Sequence, residues 1–213
     1  MVLTRQSLKQ SLLVQLGIIY TRYLVGGAFV FASLIKIKGQ RFTQMDGTVA
    51  GHNPGYFFEM LYQSGLYWQF LGWAQLLAGL LLLTQRYALL GALAYVSIIA
   101  NIFVITISYD FGGTPVITGL MLLAGLLLLA WDWSRLRVVL NQPAVPEATS
   151  PLFESRLWEV VGVVLFAFTA GYRALIDRYN MVLWFEVCVL VGAAGLPVAW
   201  WRHRPARAGA MAR

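Results

Sequence analysis

An all-α, polytopic membrane helical bundle is the fold class this sequence predicts, on three observations. Of the 213 residues, 59% are hydrophobic and 12% are charged, about half the roughly 25% charge of an average soluble domain. The mean hydropathy is +0.68. Apolar runs of the roughly 20 residues needed to cross the hydrocarbon core recur along the chain, separated by short polar punctuation. About six such runs use up the length, so a separate globular domain has no room.

The first span is expected over Leu12–Ile35, with Arg22 inside it and small residues at Gly26, Gly27, Ala28 and Ala32. Arg5 and Lys9 precede it, as in a signal peptide. Arg22 breaks the apolar run, however, and no small-x-small cleavage site follows, so an uncleaved span is expected. A polar segment runs from Lys36 to Pro54, and Asn53-Pro54-Gly55 reads as a turn. The aromatic stretch Tyr56–Tyr62 is too short to span and predicts an interfacial helix or a lid.

The second span is expected over Leu66–Thr84, and Gln85-Arg86 turns tightly into a third over Tyr87–Ile107. Tyr109–Gly113 forms the next turn, and Thr114-Pro115 opens the fourth span, with Thr114 as N-cap and Pro115 at the first helical position. That span closes at Trp131-Asp132-Trp133. Residues 134–156 hold three prolines and read as a linker. The fifth span is expected over Leu157–Leu175 and the sixth over Met181–Trp201, before a basic tail. The segment Leu-Leu-Ala-Gly-Leu-Leu-Leu-Leu occurs at 76–83 and again at 122–129, which composition alone explains.

Orientation follows from the basic residues near span ends. With both termini in the cytoplasm, the inner side carries ten Lys and Arg and the outer side five, with Arg22 between. Trp131, Trp133, Trp158, Trp200 and Trp201 read as an inner aromatic belt, and Trp68 and Trp184 as outer markers. A bacterial inner-membrane protein is the expected localisation. The net charge of +7 therefore serves topology and anionic lipid rather than nucleic acid.

Several chemistries are excluded. A single cysteine, Cys188, rules out an internal disulfide and a CxxC redox pair. The two histidines, His52 and His203, lie outside the spans, which argues against an intramembrane haem, and the ligands for a zinc site are lacking. No intrinsic metal or cofactor and no catalytic residue is expected. Ionisable and polar groups at membrane depth remain the candidates, because they are costly there and face the bundle interior. Arg22 leads: about nine residues into its span, it is placed roughly 13 Å deep. Gln75 and Asn101 are expected to bond it or to line one cavity with it. Lys36, Asp110 and Glu186 are accessory candidates, Glu186 as a partner for Arg173, Arg178 or Arg22. For Gln75 and Asn101 an interhelical hydrogen bond is the plain alternative; for Arg22 it is an internal salt bridge or a bond to helix carbonyls that fixes packing, and for Lys36 an ordinary surface anchor.

The order and spacing of four segments resemble the DoxX-like family of small bacterial membrane proteins. They are Arg22–Gly27 followed by Ser33 and Lys36; Leu71–Gly79; Gln85–Ala88 with Gly91; and Asn101–Val104. The resemblance covers residues 14–133 and implies a four-helix core, here within 1–133, with its outer loop and interfacial helix at 36–64. A linker at 134–156, a transmembrane hairpin at 157–201 and a tail at 202–213 lie beyond it. The family commonly carries glutamate where this chain has Gln75, which removes a proton carrier. Its members are tied loosely to redox metabolism. The resemblance thus implies a non-catalytic membrane subunit of a quinone-linked assembly, partnered by an oxidoreductase and holding a quinone or lipid-like molecule. A membrane scaffold and a small-molecule permease are the competing readings.

Overall fold

The structure is a computed structural model that describes residues 9–43, 45, 47, 51–143, 152 and 155–203, the last four by backbone alone. Expectations resting on Arg5, Pro146, Pro151, the 204–213 tail and the side chains of Trp200 and Trp201 lie outside the described residues. Among those residues there are eight helices. They are α1 (Leu12–Ile37), α2 (Pro54–Gln63), α3 (Leu66–Leu83), α4 (Ala88–Ser108), α5 (Thr114–Trp131), α6 (Trp133–Val139), α7 (Arg156–Leu175) and α8 (Met181–His203). All but α2 and α6 are long and apolar enough to cross a membrane, and the molecule is a polytopic membrane bundle. One end of the bundle, the terminal end, carries the start of α1, the α3–α4 turn and the α5–α6 junction. The opposite, loop end carries the described residues between α1 and α3 and the turns before α5 and α8.

Local chemistry explains the element ends. Asn53 does more than turn the chain: its side chain accepts from the Tyr56 amide at 2.8 Å and caps α2, with Pro54 in the first turn. Thr114, by contrast, is already helical, and Gly113 occupies the cap of α5 without a side-chain bond. The expected linker contains the short helix α6, one residue past α5. Pro197 is accommodated within α8, which runs on to His203. Lipid supplies no backbone partners, so continuous helices that satisfy their own amides are the economical solution for such apolar runs.

α1 is the axis of the bundle. Half of its most apolar window is buried, against 11% for α8. It packs along α3 and α7 and touches α5, while α4 closes the core against α3 and α5. α8 packs chiefly on α7 and is peripheral. Glycines set the close approaches, as small residues do between membrane helices. A Cβ on Gly79 would stand 2.7 Å from the Gly26 carbonyl oxygen, and one on Gly72 would stand 2.9 Å from Lys36 Cβ. α1 and α3 thus run antiparallel with Ser33 facing Gln75. The second copy of the repeated segment behaves alike: Gly125 admits the Tyr95 ring to within 2.9 Å of its Cβ position.

Two of the tryptophans expected to mark interfaces are buried within the protein. Trp68 and Trp158 are each 1% exposed, among the largest fully buried side chains of the molecule. Trp68 bonds the Gln40 carbonyl oxygen at 2.9 Å, and Trp158 joins Ile19, Tyr23 and Leu165 in the cluster between α1, α3 and α7. Trp133 is 40% exposed.

Candidate functional site

Arg22, Gln75 and Asn101 are not brought together. The Arg22 guanidinium, on the axis helix, meets the Asp132 carboxylate at 2.7 Å and the Gln85 side-chain oxygen at 3.1 Å. Both members of the ion pair are nearly inaccessible, with side chains 3% and 5% exposed. Gln85 sits in the α3–α4 turn at φ 59°, a left-handed conformation tolerated poorly by non-glycine residues. Asp132 occupies the α5–α6 junction. The cluster therefore ties α1 to both terminal-end connections.

The depth expected for Arg22 is corrected by the stagger of the helices. α3 ends where Leu83 lies against Gly26, so α1 begins well beyond the terminal end of α3. Counting residues from Leu12 overstates the depth of Arg22 in the bundle. Helical side chains also lean toward the N-terminus of their helix, which carries the guanidinium further toward the turns.

Gln75 lies opposite Ser33, eleven residues from Arg22 along α1 and so about 16 Å away along the axis. It is 4% exposed, and its Oε1 has no hydrogen-bond partner. Asn101 is exposed on α4, pointing away from the core. Gly91 packs on Leu81 and Leu82, which sets Asn101 about a turn closer to the loop end than Gln75. Glu186 and Asp110 are exposed. Arg173 does not turn to Glu186: its guanidinium stacks on Tyr179 at 4.0 Å and Phe31 at 4.7 Å. Lys36 turns inward instead of serving as a surface anchor.

A second feature escapes sequence reading. α1, α7 and α8 frame a cleft of about 450 Å³ lined largely by apolar groups, among them Leu24, Leu165, Phe185 and Leu196. That volume lies in the range of sites for small amphiphiles, roughly 300–1,000 Å³. Polar atoms are few and engaged. Tyr20 Oη donates to the Gly192 carbonyl oxygen at 2.9 Å. Thr169 Oγ1 accepts from Trp184 Nε1 at 3.1 Å and lies 3.9 Å from Cys188 Sγ. The floor is cut by small residues, Gly17, Gly27, Gly192 and Ala193. Only the combination of a glycine stripe on α1 with Gly192-Ala193 on α8 hints at it in the sequence.

At the loop end, Arg41 grips Glu59 of α2 through two bonds of 2.8 and 2.9 Å. This pair, with the Gln63 amide, holds the Glu59 carboxyl below its ordinary range, and Glu59 in turn raises Arg41. A lowered carboxyl adds stability above its unfolded pKa and loses it as pH falls through the folded one. Acidification below the ordinary carboxylate range is thus expected to speed amide exchange in α2, after correction for intrinsic rates. Glu59→Gln, lacking the clasp throughout, should show no such transition; identical profiles would refute the assignment.

Among the described residues no group of three or more His, Cys, Asp or Glu is placed to hold a metal ion. Comparison with protein-family models, with curated proteins and with solved structures returns no match.

Proposed function

We propose that this membrane protein is a DoxX-like, non-catalytic subunit of a redox assembly in the bacterial cytoplasmic membrane. The start of α1 and the end of α8 face the cytoplasm. The cleft between α1, α7 and α8 holds a lipid-like molecule, with the ring and first isoprene units of a quinone as the favoured occupant. The cleft is the observation that carries this reading: it combines an apolar wall with a hydroxyl, a thiol and an indole at one edge. The four sequence segments quoted above supply the family expectation. Electrons would belong to a partner oxidoreductase.

The Arg22–Asp132 pair favours a second reading for the core itself. A guanidinium paired with a buried carboxylate at 2.7 Å has its charge met within the protein, so here Arg22 serves packing and the core acts as a scaffold.

The test is retention of ligand. Protein extracted in mild detergent would be analysed for co-purifying isoprenoid quinone and lipid, and for companion proteins. Ala193→Trp fills the cleft from an exposed position and is expected to cut retained quinone at least about tenfold, a change of roughly 1.4 kcal/mol. Equal retention in wild type, variant and an unrelated membrane protein would retire the ligand. A stoichiometric companion with no cofactor would favour the scaffold.

A further inference from the structure

The loop-end interior of the four-helix core holds a cation that the cleft does not use. Lys36 is in the last turn of α1 and only 7% exposed. It shares with Ile18, Val25 and Phe29 the buried stripe of α1 that faces α4 and α5. Its side chain runs back along the helix, as helical geometry directs, and Nζ donates to the Ala32 carbonyl oxygen at 2.8 Å. The ammonium stands 4.5 Å from the centre of the Phe42 ring and 5.3 Å from that of Trp68. The ion pairs among the described residues engage Arg22, Lys38 and Arg41, and none of them engages Lys36.

A buried ammonium offers three donors and a full charge. One carbonyl and two ring faces satisfy it in part, and a buried charge with no opposite charge beside it is costly enough to call for a further partner. A second atom points the same way. Gln75 Oε1, buried without a partner, belongs to the face of α3 that carries Trp68 and Ala78. Lys36 packs beside Gly72 and its side chain then runs one turn inward. The Lys36 ammonium and the Gln75 amide thus lie at one depth on facing helices. An aromatic layer roofs this interior at the loop end: Phe42 meets Phe58 at 5.6 Å, and Phe58 meets Phe111 at 5.6 Å.

We propose that Lys36 and Gln75 form a binding site for a small organic carboxylate. The ammonium takes the carboxylate, Phe42 and Trp68 flank the body of the ligand, and Gln75 Oε1 accepts from a hydroxyl or amino group on it. A single lysine without a guanidinium beside it suits a monoanion; a phosphate dianion calls for more donors. The site is separate from the cleft and stands or falls without it.

The experiment is thermal unfolding of the purified protein in detergent, with acetate and benzoate set against acetamide and benzamide at matched ionic strength. A ligand that binds the folded state raises the melting temperature saturably. The carboxylates are expected to do so, the neutral amides not. Lys36→Met should melt above wild type without additive, since it removes an under-neutralised charge, and should lose the carboxylate response. Lys36→Gln gives the same loss of response if Lys36→Met does not purify. A larger response to decanoate than to acetate supports the site with a membrane-borne fatty acid as occupant; the reverse supports it with a soluble acid. Equal responses to carboxylates and amides, a response retained in the Lys36 variants, or none to any carboxylate overturns the proposal.

Discussion

Asp132→Leu is expected to destabilise the bundle by about 3–5 kcal/mol, the cost of breaking a buried ion pair from one side. Arg22 and Asp132 are 2% and 4% exposed, so little water is at hand to solvate the guanidinium once its carboxylate is gone. The loss should be concentrated at the terminal end, where the pair and Gln85 join α1 to the α3–α4 turn and the α5–α6 junction. The double variant Arg22→Leu/Asp132→Leu is expected to recover most of the loss, because apolar replacement of both partners removes the desolvation cost together with the attraction. Unfolding in mixed micelles, followed by circular dichroism, measures these two variants with Arg22→Leu and wild type, the four corners of one cycle. An Asp132→Leu variant within about 1 kcal/mol of wild type would mean that the pair behaves as a surface one. Full stability of the double variant would assign Arg22 to packing.

Gly162→Val is the second large effect. A Cβ on Gly162 would lie 1.7 Å from the Leu83 carbonyl oxygen and 2.7 Å from the Leu83 carbonyl carbon. The obstacle is backbone at the end of α3, which cannot rotate away as a side chain can. α7 must therefore move off α3 and α1, at a cost on the order of 3 kcal/mol. The burial of Trp158 against Tyr23 and Leu165 goes with it. The core of α1, α3, α4 and α5 buries its own cluster around Phe29, Leu82 and Tyr95 and should persist. The expected result is a lowered first melting transition with faster proteolysis in 134–156, while the second transition holds. Gly171→Ala, on the same helix with nothing within 4 Å of the added carbon, should leave stability unchanged or raise it by up to about 1 kcal/mol. Equal melting of Gly162→Val and wild type would refute the close approach.

How far each feature was legible depended on whether its cause is local. The spans were: Leu12, Leu66, Thr114 and Met181 each open a helix where the apolar run begins, because a run of that length in lipid has one way to satisfy its backbone. α2 was legible from its aromatic run, although Asn53 proved to be its cap. The candidate site was legible only as a set of expensive residues. Arg22 and Gln75 are indeed buried, but Asn101 and Glu186 are exposed. On helices apolar nearly all round, periodicity gives no phase for deciding which polar residue turns inward. The burial of Trp68 and Trp158 was hidden for a related reason, since the aromatic-belt rule reads position along the chain and is blind to burial.

Composition, charge and punctuation by themselves determined the class of the protein, the number of its spans and the small set of polar residues able to carry function. Only the tertiary structure decided the partner of Arg22, the depth of Lys36, the pairing of α7 with α1 and the cleft that α8 completes. Each of these depends on how far one helix slides and turns against another. That stagger is set by glycine contacts such as Gly26 with Gly79 and Gly162 with Leu83, which involve residues far apart in the chain and leave no trace in either local run.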